Sequence, residues 1–471
     1  MTGVGGGLRE YLAELDAEGR LDHLRAPVDV ANELAAVLSA AEIGNPLLID
    51  NAGGHRVIGN LLTNRTQIAE VLGLGATRDG EAGIDDRILS AIASPVEPVT
   101  LEDGPCREVR TQTVRLDELP FPRFFERETG AYITAGIILV TDVVTGERNM
   151  SYARFKVLGS DIAMLGVSPN HHLGRMARRA AEVGKTLPIA VVLGVHPALT
   201  LAACLYLGFG DDELAVAGAL LGDAVRTVPS LRGDIRIPAD AELVLEGEVF
   251  PEELVEEGLV SEFHGRYHDY GAGIITRFHT VTHRRDPIVP VVVPGLHREH
   301  LILASVPIAA GLTHALRKLD QGVCRVAVPD SGSGRTSAVV SVENLQPGRA
   351  RQLMFACWSQ VPLIKQVVIV DAEIDPWNAE AVEWARVTHA RPERDFMIVS
   401  DARTDRSDPL VRNFTVGKLG VDATAKPGER VEGWEFARVP KHARVRALAL
   451  LEAEGIPVSP SPVNAGVRFG L

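Results

Sequence analysis

The pattern of apolar and polar residues predicts a helical start followed by an alternation of helices and strands. Apolar residues recur at i, i+3, i+4 and i+7, the spacing of one helix face, which predicts an amphipathic first helix. These residues are Leu8, Tyr11, Leu12 and Leu15. The pattern further predicts a second helix at residues 30–43, a strand at 47–49 and mostly helical structure at 60–95. We expect these residues to form a small α/β domain that ends in a linker at residues 96–105.

Short apolar runs separated by turns dominate the middle of the chain. Strands are predicted at residues 137–144, 153–158, 189–193, 243–249 and 288–293, and a helix at 173–183. Short strands with long excursions between them are typical of an open barrel or a mixed sheet, not of a simple parallel stack. The most apolar stretch, residues 188–208, contains Gly194, His196 and Pro197, so we expect a strand, a turn and a short helix there rather than a membrane span.

The alternation of helix and strand patterns returns in the last third of the chain. Helices are predicted at residues 307–319, 348–359, 378–387 and 443–454, and strands at 324–328, 337–342, 367–370 and 397–399. A Pro-rich tail follows the last helix. The predicted fold class is therefore α/β (α+β), with an N-terminal α/β domain at residues 1–105, a central domain at 106–305, a linker helix at 306–324 and a C-terminal α/β domain at 325–471.

Composition is that of an ordinary globular protein. Of the 471 residues, 46% are hydrophobic and 23% are charged, which is enough apolar sequence for two or three domain cores. The net charge of −14 disfavours nucleic-acid binding, which needs a basic surface. Four widely spaced cysteines form no Cys-x-x-Cys pair, so we expect neither a zinc knuckle nor a disulfide framework. Since the N-terminus also lacks the charged and apolar regions of a signal peptide, we expect a cytoplasmic protein.

Two glutamates five residues apart, Glu257 and Glu262, are the most informative chemical feature of the sequence. This spacing puts them on opposite faces of a strand and off any shared helix face, and Gly258 frees the backbone to turn. We therefore predict a loop that brings two carboxylates together, where one can stay protonated while the other is ionised. The three glutamates within residues 252–256 leave a second interpretation open, in which the whole acidic run is a solvated surface.

Asn149, His171 and Glu213 are candidates for a metal site only as a set. Separately, Asn149 is typical of a turn, His171 of a helix cap or a satisfied polar group, and Glu213 of the first turn of a helix. His172 follows directly, but adjacent side chains point in different directions, so we expect only one of the two histidines to be a ligand. An amide oxygen, an imidazole and a carboxylate together suit magnesium or manganese better than zinc.

Two further features allow more than one interpretation. Arg154 is either a surface arginine or a bidentate clamp for a substrate carboxylate, and its spacing from its neighbours does not decide between them. Residues 330–336, with the sequence Asp-Ser-Gly-Ser-Gly-Arg-Thr, resemble a phosphate-binding loop superficially. They lack the Gly-Lys-Ser/Thr ending and precede a strand, so we predict a hairpin turn.

These features belong to an ordered series of motifs. The series is Gly130-Ala-Tyr-Ile-Thr-Ala135, Asn149-Met-Ser-Tyr-Ala-Arg154, Pro169-Asn-His171, Asp212-Glu213 with Ala217-Gly-Ala219, Ile235-Arg-Ile-Pro-Ala239 with Glu242-Leu-Val-Leu-Glu-Gly247, Glu257-Gly-x-x-x-Glu262 and Val370-Asp-Ala-Glu-Ile-Asp375. The series resembles the UbiD family of reversible (de)carboxylases, which use prenylated FMN. The resemblance covers most of residues 110–400 and rests on the set, since no single motif would be specific.

The resemblance implies a fold and a cofactor site. The central domain is implied to be a split-barrel, flavin-reductase-like domain that binds prenylated FMN, flanked by the N-terminal and C-terminal α/β domains. Asn149, His171 and Glu213 are implied to hold Mn²⁺ or Mg²⁺ on the cofactor phosphate, with K⁺ nearby. The residues implied to bind the cofactor are Asn149, Ser151, Tyr152, Ala153, Arg154, Asn170, His171 and Glu213.

The same resemblance implies an activity and partners. Arg154, Glu257 and Glu262 form the implied catalytic set, with Glu257 orienting Arg154 and Glu262 donating a proton. The expected activity is that of a carboxy-lyase acting on an aromatic, heteroaromatic or α,β-unsaturated carboxylic acid. A flavin prenyltransferase would supply the cofactor, and the chain is implied to form a homodimer or higher homo-oligomer, with its C-terminal part at the interface.

The sequence departs from the family pattern between the two glutamates. Relatives carry Gly-Pro-Phe-Gly there, whereas this chain has Gly258-Leu259-Val260-Ser261, which changes the backbone angles the turn allows. We predict that the altered loop changes which acids the pocket accepts. Two alternatives stay open: a hydrolase in which the metal at residues 149, 171 and 213 activates water, and a non-catalytic family member that acts as an assembly subunit.

Overall fold

The computed structural model describes residues 6–343, 345–426 and 440–456, which form two compact units, Met1–Pro307 and Ile308–Leu471. Helices and strands alternate in both units, which confirms the α/β (α+β) prediction. The Pro-rich tail predicted from the sequence lies outside the described residues.

The first unit contains most of the elements. Its helices are α1 (Leu8–Ala17), α2 (Glu33–Ala40), α3 (Arg65–Val71), α4 (Arg78–Ala82), α5 (Ile84–Ala93), α6 (His172–Glu182), α7 (Pro197–Ala202), α8 (Glu213–Leu221) and the start of α9 (Arg298–Leu319). Its strands are β1 (Asp22–Leu24), β2 (Leu47–Ala52), β3 (His55–Gly59), β4 (Val99–Thr100), β5 (Val109–Thr111), β6 (Tyr132–Ile133), β7 (Ile137–Thr141), β8 (Arg148–Tyr152), β9 (Arg154–Val157), β10 (Ile162–Gly166), β11 (Leu187–Leu193), β12 (Arg226–Pro229), β13 (Arg236–Pro238), β14 (Leu243–Glu256), β15 (Leu259–Ser261), β16 (Tyr267–Asp269), β17 (Ala272–His283) and β18 (Ile288–Pro290). Two 3-10 turns are at Pro105–Arg107 and Leu116–Glu118.

The largest sheet of this unit curls into a barrel. Its strands follow the order β6-β9-β10-β17-β14-β11-β7-β8, with β5 paired to β17. β8 lies at one end of this order and β9 next to the other end, yet only Ala153 separates them in the chain. Because consecutive Cα atoms are about 3.8 Å apart, one residue links these strands only if the sheet curls until its ends meet. Of the two arrangements expected from the sequence, an open barrel or a mixed sheet, the structure has the barrel.

The described residues of the first unit form three smaller sheets as well. Their orders are β1-β2-β3-β18, β13-β12-β4 and β15-β16. The strand β4 lies within residues 96–105, which the sequence predicted as a linker, and it pairs in parallel with β12. That segment is therefore part of a sheet and not a bare connection.

The main core of the first unit lies between the barrel and α6. Leu173, Met176 and Ala180 of α6 are buried against apolar side chains of β7, β11, β14 and β17. The apolar residues of α6 recur every three or four positions, so one face of the helix covers the barrel while Arg175 and Arg178 are exposed on the other. This packing fixes the start of α6, where His171 is the N-cap residue.

Some boundaries differ from the predicted ones for identifiable reasons. The helix predicted at residues 30–43 begins only at Glu33, because Asn32 has a φ of +67°, which a right-handed helix cannot continue. The helix predicted from Pro307 onward begins at Arg298 and contains this proline. The prediction started the helix at Pro307 because proline fits the first turn of a helix best. Inside α9, Pro307 instead leaves one helical hydrogen bond unmade.

The second unit is a five-stranded sheet with helices. Its strands are β19 (Val323–Ala327), β20 (Ser337–Val342), β21 (Gln366–Asp371), β22 (Phe396–Arg403) and β23 (Thr415–Ala423), and its helices after α9 are α10 (Arg349–Gln360), α11 (Ala379–His389), α12 (Pro392–Asp395) and α13 (Lys441–Ala453). The sheet order is β19-β20-β21-β23-β22. The antiparallel strands β19 and β20 are joined through residues 330–336, where a 3-10 turn, Asp330–Gly332, is followed by left-handed Ser333 and Gly334. The predicted hairpin turn is confirmed.

One helix, α9, is long and apolar enough to cross a membrane by length and composition. In the described structure, 78% of its most apolar stretch is buried inside the protein, as in the core helix of a globular fold. The other apolar stretch, residues 188–208, forms β11, a left-handed Gly194 and α7, as predicted from the sequence.

Candidate active site

The closure of the barrel creates a site where β8 meets β9. Ser151 and Tyr152 end β8, Ala153 is the single connecting residue, and Arg154 begins β9. Side chains at this junction therefore lie close to strands from both ends of the sheet order. The prediction that Arg154 stands at the start of a strand is confirmed, whereas Asn149 lies within β8 and not in the turn that its residue type allowed.

Arg154 forms a two-pronged ion pair with Glu257. Its Nε donates to Glu257 Oε1 and its Nη2 donates to Oε2, both at 2.5 Å. The third nitrogen, Nη1, lies 4.0 Å from Glu262 Oε1, and the guanidinium carbon lies 4.9 Å from the ring centroid of Tyr270. Burial by itself lowers the pKa of Arg154, but the hydrogen bonds and charge of Glu257, and then the charge of Glu262, outweigh it and raise the pKa. The arginine therefore stays a cation.

The two glutamates meet at Arg154, as the five-residue spacing predicted. The side chain of Glu257 is only 2% exposed and that of Glu262 is 14% exposed, which rules out a solvated surface for this pair. The surface interpretation holds for Glu252, Glu253 and Glu256, which are exposed.

The segment between the two glutamates is more regular than the predicted loop. Gly258 has a φ of +77°, so the chain turns there as expected, but residues 259–261 then form β15, which pairs antiparallel with β16. Pairing of this kind depends on residues 267–269, which local sequence reasoning did not consider. The segment is thus held by a ladder and not by loop sequence alone.

Two buried charged residues that the sequence analysis missed contact this segment. The carboxylate of Glu128 accepts hydrogen bonds from the backbone N–H groups of Phe124, Phe125 and Ser261 at 3.0, 3.1 and 3.3 Å. Lys156 Nζ donates to the backbone carbonyl of Glu257 at 2.5 Å. Glu128 and Lys156 are 2% and 7% exposed. A charged residue two positions before Gly130 and another two positions after Arg154 were the available signals.

The predicted metal ligands lie on β8 or on elements that contact it. Asn149 is 4% exposed and donates from Nδ2 to Ser151 Oγ at 2.8 Å. Glu213, the first residue of α8, accepts a hydrogen bond from the backbone N–H of Met150 at 2.9 Å. Burial raises the pKa of the Glu213 carboxyl to about 7. Its position at the helix start confirms the expectation from its sequence context.

The two adjacent histidines differ in environment, as expected. His172 packs edge-on against Phe209, with ring centroids 5.2 Å apart. His171 Nδ1 is buried without a hydrogen-bond partner, and burial lowers the pKa of this histidine, which favours its neutral form. A neutral imidazole with an unused ring nitrogen is the form that binds a metal ion. The helix α6, which follows His171, contacts β8.

These residues fit a hard divalent cation. Within the described part of the chain, no cationic side chain forms an ion pair with Glu213, so its buried carboxylate lacks a countercharge. The described residues contain no cluster of three His, Cys, Asp or Glu side chains that would hold a metal alone. The predicted set has two such side chains, His171 and Glu213, and the amide of Asn149. A cation would supply both the missing charge and the missing partner.

The remaining predicted cofactor residues lie on either side of this site. Asn170 is exposed in the turn before α6. Tyr152 lines a small cavity with Thr200, Val291 and Glu299. Burial raises the pKa of the Tyr152 hydroxyl, so the hydroxyl stays neutral. The cavity is lined mostly by apolar side chains, which suits an apolar ligand surface.

Family comparisons match nearly the whole chain. Residues 12–85, 97–297 and 301–423 match the N-terminal, Rift-related and C-terminal domains of 3-octaprenyl-4-hydroxybenzoate carboxy-lyase, the UbiD family. The anhydromevalonate phosphate decarboxylase of Methanosarcina mazei is 30% identical over 437 residues, covering 92% of this chain and 99% of that protein.

Solved structures give the same result. HmfF, a UbiD-class enzyme of Pelotomaculum thermopropionicum in complex with FMN, has a TM-score of 0.89 and 32% identity, covering 94% of this chain and 99% of that one. An evolved dimeric form of that enzyme, in complex with prFMN, has a TM-score of 0.86 and 30% identity, covering 95% and 100%. The motif series, the barrel and these comparisons agree, and the chain belongs to the UbiD family as a decarboxylase, a carboxy-lyase of that class.

Proposed function

We propose that this protein decarboxylates an aromatic, heteroaromatic or α,β-unsaturated carboxylic acid, reversibly and without oxidation, using prenylated FMN. The observation that carries the proposal is the buried Arg154–Glu257 pair with Glu262 4.0 Å from the same guanidinium. This arrangement places a fixed cation and a second carboxyl group at one point. A carboxylate substrate that must also gain a proton needs both groups.

The reaction requires a cofactor because of where the electrons go. Loss of CO₂ from an sp² carbon leaves an electron pair that no ordinary side chain stabilises, and prenylated FMN, when bound, supplies the electron sink. The chain must then hold the carboxylate, exclude water and return a proton.

Arg154 is proposed to hold the substrate carboxylate. Glu257 engages Nε and Nη2, which fixes the plane of the guanidinium and leaves Nη1 on the side of Glu262. Burial strengthens the attraction of this cation for a carboxylate, because water screens it less. Glu257 thus acts on the substrate only through the orientation of Arg154.

Glu262 is proposed to hold the proton on its carboxyl group and to deliver it to the substrate carbon. It is the more exposed of the two glutamates, so it can exchange its proton with solvent between turnovers. Glu257 is engaged in the two-pronged ion pair with Arg154, which leaves Glu262 as the second carboxyl group beside the same guanidinium.

The cofactor site is proposed to include Asn149, His171 and Glu213 as ligands of Mn²⁺ or Mg²⁺, with K⁺ nearby. The support is the uncompensated carboxylate of Glu213 and the unpartnered Nδ1 of His171. Ser151, Tyr152, Ala153 and Asn170 would complete the cofactor contacts.

The proposal extends to the protein's partners and location. A flavin prenyltransferase would supply the cofactor, the chain would form a homodimer or higher homo-oligomer, and the protein would reside in the cytoplasm. The support is the family membership, together with the evolved dimeric form recorded for one related enzyme. Family membership also disfavours a metal-dependent hydrolase, which would act on esters or amides without flavin, and the intact Arg154 pair disfavours a non-catalytic subunit.

The deciding experiment compares Glu262→Gln with wild type after co-expression with a flavin prenyltransferase. Decarboxylation of a panel of unsaturated and aromatic acids, and deuterium exchange into the products, should fall by roughly 10²-fold or more, since general acids contribute about that much. The bound-flavin absorption should be unchanged. Glu253→Gln is the matched control, because this exposed glutamate pairs with Arg277 on the surface and should keep full activity.

Two outcomes would contradict the proposal. Near-wild-type turnover by Glu262→Gln would refute the assignment of Glu262 as the proton donor. Decarboxylation by wild-type protein prepared without flavin would refute the requirement for prenylated FMN.

A further inference from the structure

We propose that Glu128 and Lys156 are positioning residues that hold the two ends of segment 257–262. They thereby set the positions of Glu257 and Glu262, the catalytic pair. This inference rests on the proposed roles of Glu257 and Glu262. Neither Glu128 nor Lys156 is placed against substrate or cofactor, so both act through the backbone that carries the two glutamates.

Glu128 holds the end of the segment that leads into Glu262. One carboxylate oxygen accepts the backbone N–H groups of Phe124 and Phe125, and the other accepts the N–H of Ser261, the residue directly before Glu262. Burial raises the pKa of Glu128, while these three hydrogen bonds lower it. The carboxylate thus joins segment 124–128 to the residue that aims the proposed proton donor.

Lys156 holds the other end. Its Nζ donates to the backbone carbonyl of Glu257 at 2.5 Å and to Thr129 Oγ1 at 2.7 Å. Lys156 lies on β9, two residues after Arg154, so the strand that carries the substrate clamp also grips the backbone of the clamp's partner. A shift of β9 by one residue relative to Glu257 would separate Arg154 from Glu257.

The two contacts converge on one short stretch of chain. Thr129 directly follows Glu128, so segment 124–129 reaches one end of segment 257–262 through Glu128 and the other end through Lys156. Between these ends, Val260 is 3% exposed and packs in an apolar cluster with Phe124 and Tyr132. Apolar packing alone fixes the depth of the segment but not its rotation, whereas hydrogen bonds to its two ends fix both.

The energetic argument favours a positioning role over a purely structural one. Burying a carboxylate and an ammonium group is expensive, and apolar residues of similar volume often stabilise a core equally well. Two buried charges that contact the backbone of Glu257 and of the residue preceding Glu262 give directional control that apolar side chains would not give. Small displacements of reacting groups cost large factors in rate.

The test compares Glu128→Gln with a matched control, Glu246→Gln, in holoenzyme. Glu128→Gln keeps the size but replaces one accepting oxygen by an N–H donor, which repels a backbone N–H. Glu246 is also buried, its pKa is also raised by burial, and it accepts the backbone N–H groups of Leu231 and Arg232 away from the catalytic pair. Both variants should lose comparable thermal stability.

Only the Glu128 variant should change catalysis. We expect kcat to fall roughly 10- to 100-fold with KM and flavin content little changed, as for a displaced reacting group. The Glu128→Gln, Glu262→Gln double variant should be no slower than Glu262→Gln alone, because residues that act as a unit are non-additive. Wild-type kcat in Glu128→Gln, or an equal loss in Glu246→Gln, would overturn the positioning role.

A second readout separates this inference from the proposed function. Hydrogen–deuterium exchange of the amides in segment 257–262 should accelerate in Glu128→Gln and in Lys156→Met, but not in Glu246→Gln. Unchanged exchange in both Glu128→Gln and Lys156→Met would overturn the inference while leaving the proposed function intact. Accelerated exchange, in a protein whose wild type decarboxylates no acid tested, would support the backbone contacts and refute the function. Lys156→Met supplies the test if Glu128→Gln does not fold.

Discussion

At the scale of single residues, the site depends on side chains whose charge is buried. Arg154 remains a cation because the hydrogen bonds and charge of Glu257 outweigh the cost of burial. Glu213 has no such partner among the described residues, so burial raises the pKa of its carboxyl to about 7. The same physical cost therefore produces a stable ion pair at one position and, at the other, a carboxyl group whose ionised form a bound cation would stabilise.

The metal assignment predicts a specific loss in His171→Ala. Removing the imidazole should reduce bound Mn²⁺ and flavin after dialysis against a chelator, by roughly 10-fold or more, as metal-site changes do. The overall fold should be retained. His279→Ala is the control, since this half-buried histidine lies on β17 away from β8. Metal analysis and flavin absorption give the result, and full retention of both by His171→Ala would refute the assignment.

The buried carboxyl of Glu299 predicts a pH dependence of stability. Burial raises its pKa to about 7, although it accepts the backbone N–H groups of Asn60 and Leu62 at 3.0 Å. The folded protein binds this proton more tightly than the unfolded chain, so stability from this group is greatest at low pH and is lost as pH rises from about 4.5 to about 7. The loss amounts to roughly 3 kcal/mol, at about 1.4 kcal/mol per pKa unit.

Glu299→Gln should remove this contribution. Chemical denaturation of wild type and variant at pH 5 to 8 should show a shallower decline of stability with pH in the variant. Other buried carboxyl groups with raised pKa, such as Glu246, titrate in the same direction in both proteins, so the difference isolates Glu299. Parallel pH profiles would mean that Glu299 is ionised throughout.

At the scale of elements, the altered sequence between the two glutamates has a structural explanation. Residues 259–261 form β15, and Val260 packs in the apolar cluster that contains Val291 and Val293. The side chain that replaces the usual phenylalanine therefore faces the core. Because successive strand side chains alternate, Leu259 and Ser261 point to the other side, and these two positions are better placed to influence substrate choice.

The turn at Gly258 predicts a loss of activity in Gly258→Ala. The φ of +77° disfavours any side chain, although the nearest atom to an added Cβ, Thr129 Oγ1, is 3.8 Å away. Strain of about 1–2 kcal/mol should therefore shift the backbone, not a neighbour, and displace Glu257. Gly19→Ala is the control, with a φ of +67° and no atom within 4 Å. Both variants should lose similar stability in denaturation, and only Gly258→Ala should lose turnover. Equal turnover in both would separate the turn from catalysis.

At the scale of the whole molecule, the second unit exposes a large apolar side chain on a sheet edge. β22 is the edge strand of the five-stranded sheet in the described structure, and its Ile398 is 77% exposed. Scattered exposed apolar residues are normal, but an edge strand with an exposed isoleucine invites association unless something covers it. Homo-oligomerisation through this unit would cover it.

The oligomer prediction is tested with Ile398→Asp. Light scattering coupled to size exclusion should give wild type a mass of at least twice 50.6 kDa and shift the variant toward 50.6 kDa. Ile43→Asp is the control, because Ile43 is 78% exposed in the first unit. A wild-type monomer, or an unchanged mass in Ile398→Asp, would contradict a dimer built on this edge.

The sequence by itself determined the features that depend on neighbouring residues. The spacing of Leu8, Leu12 and Leu15 predicts α1, and the glycines in residues 330–336 predict the hairpin turn. These features are local, because backbone angles and helix faces follow from nearby side chains. The order of the motifs also gave the family and the catalytic candidates, since chemical residue types persist in the sequence whatever their environment.

Only the tertiary structure decided which charged residues are buried and what they meet. Arg154 and Glu257 are 103 residues apart, and they meet because the sheet places β9 and β14 on either side of β10 and β17. Lys418, on a strand that the sequence analysis did not predict, is 2% exposed and donates to the carbonyls of Pro362 and Ile364. Glu252 and Glu257 belong to one acidic run, yet the first is exposed and the second is buried. Local patterns do not distinguish these cases, because burial depends on strand pairing between distant parts of the chain.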